Sequence, residues 1–144
     1  MPRYSDQYLD GLLNGSSYDD LVALQGILVT PPHYDSSQPD YGLPPCFFVV
    51  VEGLVWFAQA WRSGVWTYFE ATPLPRQQAM HEALLQLGPE DFARRYAFGM
   101  RHWRDAEAIA PLDSWMQNID ATANEWMWTV LRTHRAEYKA LCAQ

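Results

Sequence analysis

The chain has 144 residues, nearly half of them apolar, with seven Trp, eight Tyr and a formal net charge of −7. That length suits one domain able to bury a core without disulfide or metal staples, and the apolar content excludes a disordered chain. The charge is uneven: the first 45 residues hold Asp6, Asp10, Asp19, Asp20, Asp35 and Asp40 against Arg3 alone, which argues against contact with bare nucleic acid, whose phosphates demand basic groups.

Met1 to Asp6 contains no apolar stretch of the signal-peptide kind, so the expected location is cytoplasmic. "SDQYLDGLLNG" predicts a short amphipathic helix capped by Ser5, with Tyr8, Leu9, Leu12 and Leu13 on one face and Asn14-Gly15 at its end. "SSYDDLVALQGILV" repeats the design with Ser17 as cap and Asp19 and Asp20 in the first turn, where the helix dipole favours acids. Capping is one account of these acids and contact with a basic partner is the other.

"TPPHYDSSQPDYGLPP", residues 30–45, holds five prolines and no periodicity, which predicts a long loop that is functional, mobile or a plain connector. Its neighbours Tyr34-Asp35 and Asp40-Tyr41 set aromatic contact area beside negative charge, a pattern suited to protein binding.

Cys46 to Arg62 then reads as a central helix ended by Gly64, although Val49, Val50 and Val51 also allow a buried strand. This apolar run is shorter than the roughly 20 residues of a membrane span. Glu52 in its middle is the most unusual residue of the chain: a general acid or base with a raised pKa, a partner for an arginine, or the polar edge of the helix.

"PLPRQQAMHEALLQLG" predicts a helix closing at Gly88, and Pro89-Glu90-Asp91 opens another whose core stripe is Phe92, Tyr96, Met100 and Trp103. The other side of that helix carries Arg94, Arg95, Arg101 and Arg104, the only basic cluster and a candidate intramolecular partner for the N-terminal acids. A connector with Pro111 and "LDSWMQNID" leads to a last helix, about Thr122 to Leu141, with Met127, Val130, Leu131, His134, Tyr138 and Leu141 on one stripe. The expected fold is all-α: a single domain over 1–144, six or seven helices, and an aromatic-rich core.

Catalytic signatures are sparse. His33, His81, His102 and His134 lack metal-ligand spacing, so neither metal nor cofactor is expected. Cys46 and Cys142 have no nucleophile signature, and either one disulfide or two idle thiols fits them. His102 with Asp105 at i+3 is the one carboxylate–histidine neighbourhood, a general-base pair or a surface salt bridge.

"SGVWTYFEAT" resembles the signature of the DNA-mimic protein family named from Neisseria, which runs Asn-Gly-Gly, an aromatic, two residues, a pair of aromatics and Asn. Ser63-Gly64-Val65 stands for the first triplet, Trp66 for the first aromatic, Tyr68-Phe69 for the pair shifted by one, and Thr72 for the final Asn. "ALLQLG", Ala83 to Gly88, and "LDSWMQNID" are similar in placement to the segments C-terminal to the signature in that family. The resemblance covers about residues 52–140. It implies a helical fold, an acidic surface that occupies the DNA site of a regulator, and a helix corner plugged by Trp66, Tyr68 and Phe69.

The expected function is therefore non-catalytic: an acidic inhibitor that blocks a basic nucleic-acid- or phosphate-binding surface of a partner protein, as an immunity protein blocks a toxin or a DNA mimic blocks a regulator. The expected contact residues are Asp6, Asp10, Asp19, Asp20, Tyr34, Asp35, Asp40 and Tyr41, and a homodimer is compatible with the sequence. The alternative is a small enzyme using Glu52 or the His102–Asp105 pair.

Overall fold

The computed structural model describes residues 4–143. These residues form nine α-helices and no strand, so the all-α class holds while the number of helices exceeds the expected six or seven. Serine caps set the first two. The Ser5 hydroxyl accepts from the Tyr8 amide at the start of α1 (Asp6–Leu13), and Ser17 does the same for Asp20 at the start of α2 (Tyr18–Leu28), each at 3.1 Å.

After the loop, α3 (Pro45–Ser63) opens on a proline at a position whose N–H would have no helical partner, and it stops at Gly64, whose φ of +94° only glycine adopts readily. The helix is enclosed by α2, α4 (Val65–Ala71), α5 (Leu74–Leu87), α7 (Ala106–Met116) and α8 (Asp120–Thr133). That enclosure settles the choice between helix and strand for Val49–Val51, all buried. Packing an apolar run on every side outweighs a helix-propensity penalty of roughly 0.5 kcal/mol per residue.

The aromatic segment 66–69 is not a corner between helices but the body of α4. Asp113 of α7 starts it by accepting from the Val65 amide at 2.8 Å. At about 100° per residue, neighbours Tyr68 and Phe69 share the inward face while Trp66 lies roughly 200° from Tyr68. Tyr68 and Phe69 are buried and Trp66 is 46% exposed, which corrects the expectation that all three fill the core. Phe69 packs so tightly against α6 (Glu90–His102) that a Cβ on Gly99 would stand 2.2 Å from its ring.

Two expected boundaries shift. The Pro111 segment is helical, part of α7, because Asp105 caps that helix by accepting from the Glu107 and Ala108 amides at 3.1 Å each and the proline lies on its exposed side. The last helix is two, α8 and α9 (Arg135–Cys142), broken at His134 with φ −107° and ψ 32°. The break turns α9 against α1, and the Tyr138 hydroxyl of α9 donates to the Leu24 carbonyl of α2 at 2.7 Å. Cys46 and Cys142 are free thiols, and no helix among the described residues is long and apolar enough to cross a membrane.

Because removing a buried aromatic costs about 3 to 5 kcal/mol, Phe69→Ala should lower the melting temperature severely. Trp66→Ala should cost about 1 kcal/mol or less, as surface substitutions do. Thermal denaturation of both variants checks the assignment, and an equal loss would place Trp66 in the core after all.

Candidate partner-binding surface

The loop between α2 and α3 is an ordered element. Left-handed φ values at Tyr41 (58°) and Gly42 (70°) fold it back on itself, with the Asp35 amide donating to the Tyr41 carbonyl at 2.9 Å and the Leu43 amide to the Asp40 carbonyl at 3.0 Å. A positive φ at a tyrosine persists only where surrounding contacts over-determine it. Arg76, from the first turn of α5, provides several of them. Its Nε donates to the Pro39 carbonyl at 3.0 Å, and its Nη2 donates to the Ser36 and Gln38 carbonyls at 3.1 and 3.0 Å. The same guanidinium lies 4.2 Å from the centre of the Tyr41 ring, which also packs on Tyr34 and Phe48.

The second attachment is deeper. Glu52 on α3 is fully buried, and its carboxylate faces two phenols: Tyr41 donates to Oε1 at 2.6 Å and Tyr68 to Oε2 at 2.5 Å. With the Tyr68 proton committed, Tyr96 of α6 donates to the Tyr68 oxygen at 2.7 Å. Burial pushes the Glu52 pKa above its ordinary value, and the two phenol hydrogen bonds and the Arg76 charge pull it back only in part. Burial likewise raises the Tyr68 and Tyr96 phenols. Glu52 is thus held by tyrosines and not by an arginine or the helix edge, and both its oxygens point into closed core.

The expected contact residues fall into three places. Asp6 and Asp10 sit on α1 beside α9, where Arg135 and Lys139 meet Asp10 at 3.0 and 3.1 Å and Lys139 stands 3.8 Å from Asp6. Hydrogen bonds from Arg135 and Lys139 hold the Asp10 carboxyl below its usual range. The basic partner of the N-terminal acids is therefore α9, not the arginines of α6, two of which pair with Asp91 on their own helix. Asp19 and Asp20 stand in the first turn of α2, about 16 Å from the loop by the rise of an 11-residue helix.

Asp35 and Asp40 are exposed on the clamped loop. Each commits one oxygen to the loop itself: Asp35 Oδ1 accepts from the Ser37 amide and hydroxyl at 3.0 and 2.7 Å, and Asp40 Oδ1 accepts from the Gly42 amide at 2.9 Å. The Ser37 hydrogen bonds hold the Asp35 carboxyl below its usual range. Tyr34 is half-buried against Tyr41. Tyr41 itself is only 8% exposed, so it anchors the loop from beneath and offers no face to a partner, a correction to its expected role. Among the described residues no ion pair reaches Asp19, Asp20, Asp35 or Asp40.

His102 and Asp105 do not form the expected pair. The Asp105 carboxylate caps α7, and the His102 ring packs against Phe98 at a tilt of 42° with ring centres 4.6 Å apart. Arg76 and Asp113, both central to the architecture, carry no sequence signal, since each acts on backbone atoms 37 to 48 residues away.

Arg76→Ala should leave the fold intact and speed amide exchange at Asp35, Gln38, Tyr41 and Leu43 by the equivalent of about 1 to 3 kcal/mol of local stability. Unchanged exchange would mean that Tyr41 alone holds the loop. The Glu52 assignment has a pH signature. A carboxyl whose folded-state pKa is raised contributes most below its unfolded-state value, and that contribution is lost as pH rises through the folded-state value. Glu52→Gln cannot ionise, so its melting temperature relative to wild type should improve as pH rises above the ordinary glutamate range. A variant that loses ground over that rise would overturn the raised value.

No protein-family model, curated protein or solved structure matches the chain.

Proposed function

We propose that the protein is a non-catalytic acidic binding protein that occupies a basic, nucleic-acid- or phosphate-binding surface of a partner protein. The observation that carries this reading is the loop 30–44, a proline-rich segment fixed by Arg76 and by the Tyr41–Glu52 hydrogen bond so that Asp35 and Asp40 face solvent in one geometry. Ordering a loop before binding removes part of the entropy that association would otherwise cost. Keeping its carboxylates clear of intramolecular ion pairs among the described residues leaves their charge available to steer a cationic partner. Asp19 and Asp20 extend the same field, whereas Asp6 and Asp10 are balanced by α9 and contribute less.

An immunity protein and a DNA mimic share this physics, since both replace phosphates by carboxylates on a partner's basic site. The resemblance of residues 63–72 to the DNA-mimic family signature agrees with the reading.

The test is binding kinetics with a partner captured from the native host. Association should slow as salt rises, because exposed charges are screened beyond about 8 Å at physiological ionic strength. Asp35→Asn with Asp40→Asn should slow it further while dissociation changes little. The partner should release its nucleic acid or phosphate-bearing substrate as the complex forms. A salt-independent association rate, with a ternary complex that keeps the substrate bound, would sink the proposal.

A further inference from the structure

Elsewhere on the molecule, α2, α3 and α8 leave two large aromatic side chains uncovered. Trp61 is 55% exposed and Tyr18 51%. Both border one hollow of about 350 Å³, together with Phe57, Asp120, Asn124 and Met127. Helical spacing puts them there: Phe57 and Trp61 are one turn apart on α3, and Asp120, Asn124 and Met127 follow at i, i+4 and i+7 on α8. Tyr18 is the first residue of α2, placed by the Ser17 cap.

The hollow presents three aromatic rings, one carboxylate, one carboxamide and a thioether, and no basic residue lines it among the described residues. No ion pair among them reaches Asp120. An anion would be repelled by Asp120. A purely apolar group would strip water from that carboxylate and offer nothing in return. A helix about 10 Å across is too wide for so small a space.

We infer that this hollow receives the guanidinium and stem of an arginine side chain from a partner protein. The negative faces of Trp61 and Tyr18 attract a cation, with indole the strongest of the aromatic platforms, and a planar guanidinium can stack on them while its N–H groups reach a carboxylate. Asp120 supplies that carboxylate and Asn124 a carbonyl acceptor. Phe57 and Met127 form apolar walls for the methylene stem. The site shares no residue with the loop 30–44, so either can fail without the other.

The test uses the intact protein and two capped tripeptides, acetyl-Ala-Arg-Ala-amide and its citrulline counterpart, which keeps the shape and removes the charge. The indole N–H resonance of Trp61 is followed by NMR during titration. The arginine peptide should shift it, less so at high salt, and the citrulline peptide should not. Asp120→Asn should weaken the arginine peptide by up to about five-fold, the fold-change of a solvent-exposed charge pair. The Asp35→Asn, Asp40→Asn variant should bind the peptide as wild type does, which separates this site from the loop. Equal binding of the citrulline peptide, indifference to Asp120→Asn, or no response of Trp61 at millimolar peptide would each overturn the inference.

Discussion

The buried carboxylate of Glu52 is the constraint around which the remaining elements are arranged. A carboxyl group with no solvent contact is tolerated only when its oxygens are given hydrogen-bond partners, and here the partners come from two separate parts of the chain, Tyr41 in the loop and Tyr68 in α4. Tyr96 extends the network into α6. One side chain on the central helix thereby ties together a loop, a short aromatic helix and a long amphipathic one. An apolar residue at position 52 would leave the buried Tyr41 hydroxyl without its acceptor and Tyr68 with Tyr96 alone, so the phenols and the carboxylate depend on each other.

Arg76 acts on the same loop from outside. Three of its donors are spent on loop carbonyls and its guanidinium covers the Tyr41 ring, so the tyrosine that anchors the loop is itself enclosed. Arg132 works in the same way at the end of α1, donating to the Leu13 and Gly15 carbonyls while lying over Trp128. In a chain with only ten Lys and Arg, cations used to hold backbone turns are not available to neutralise acids. The molecule thus combines structural arginines with exposed aspartates.

Helix existence was legible wherever a local signal carries it. Ser5 and Ser17 as caps, Gly64 as the end of α3, and the stripe on α6 all arise from contacts within a few residues. Features set across long sequence distances were not. Arg76 meets carbonyls 37 to 40 residues back, α9 replaces α6 as the basic partner of Asp10, and the break at His134 lets α9 reach α1. Glu52 was visible as an anomaly, but nothing in its neighbourhood names two tyrosines 11 and 16 residues away as donors. The exposed Trp66 illustrates a different limit: a dense aromatic cluster reads as core until the helical phase of each residue is fixed.

Under the proposed function and the inferred arginine site, the two surfaces would divide the work of recognition according to their chemistry. Asp35 and Asp40 are exposed and would act through a screened field, so their leverage would be on encounter and would weaken with salt. Trp61 and Tyr18 carry contact area and would act only once a partner is seated, so their leverage would be on residence. Neither class suffices alone, because exposed charge pairs contribute about 1 kcal/mol or less and an aromatic hollow without charge does not select a cation. Under the proposed function, a basic site that grips phosphates through arginines would be drawn by the aspartates, and an arginine side chain is also what the hollow beside Asp120 is inferred to receive. A lysine-rich site of equal charge would be steered as well but, lacking the planar fork, would be held less well.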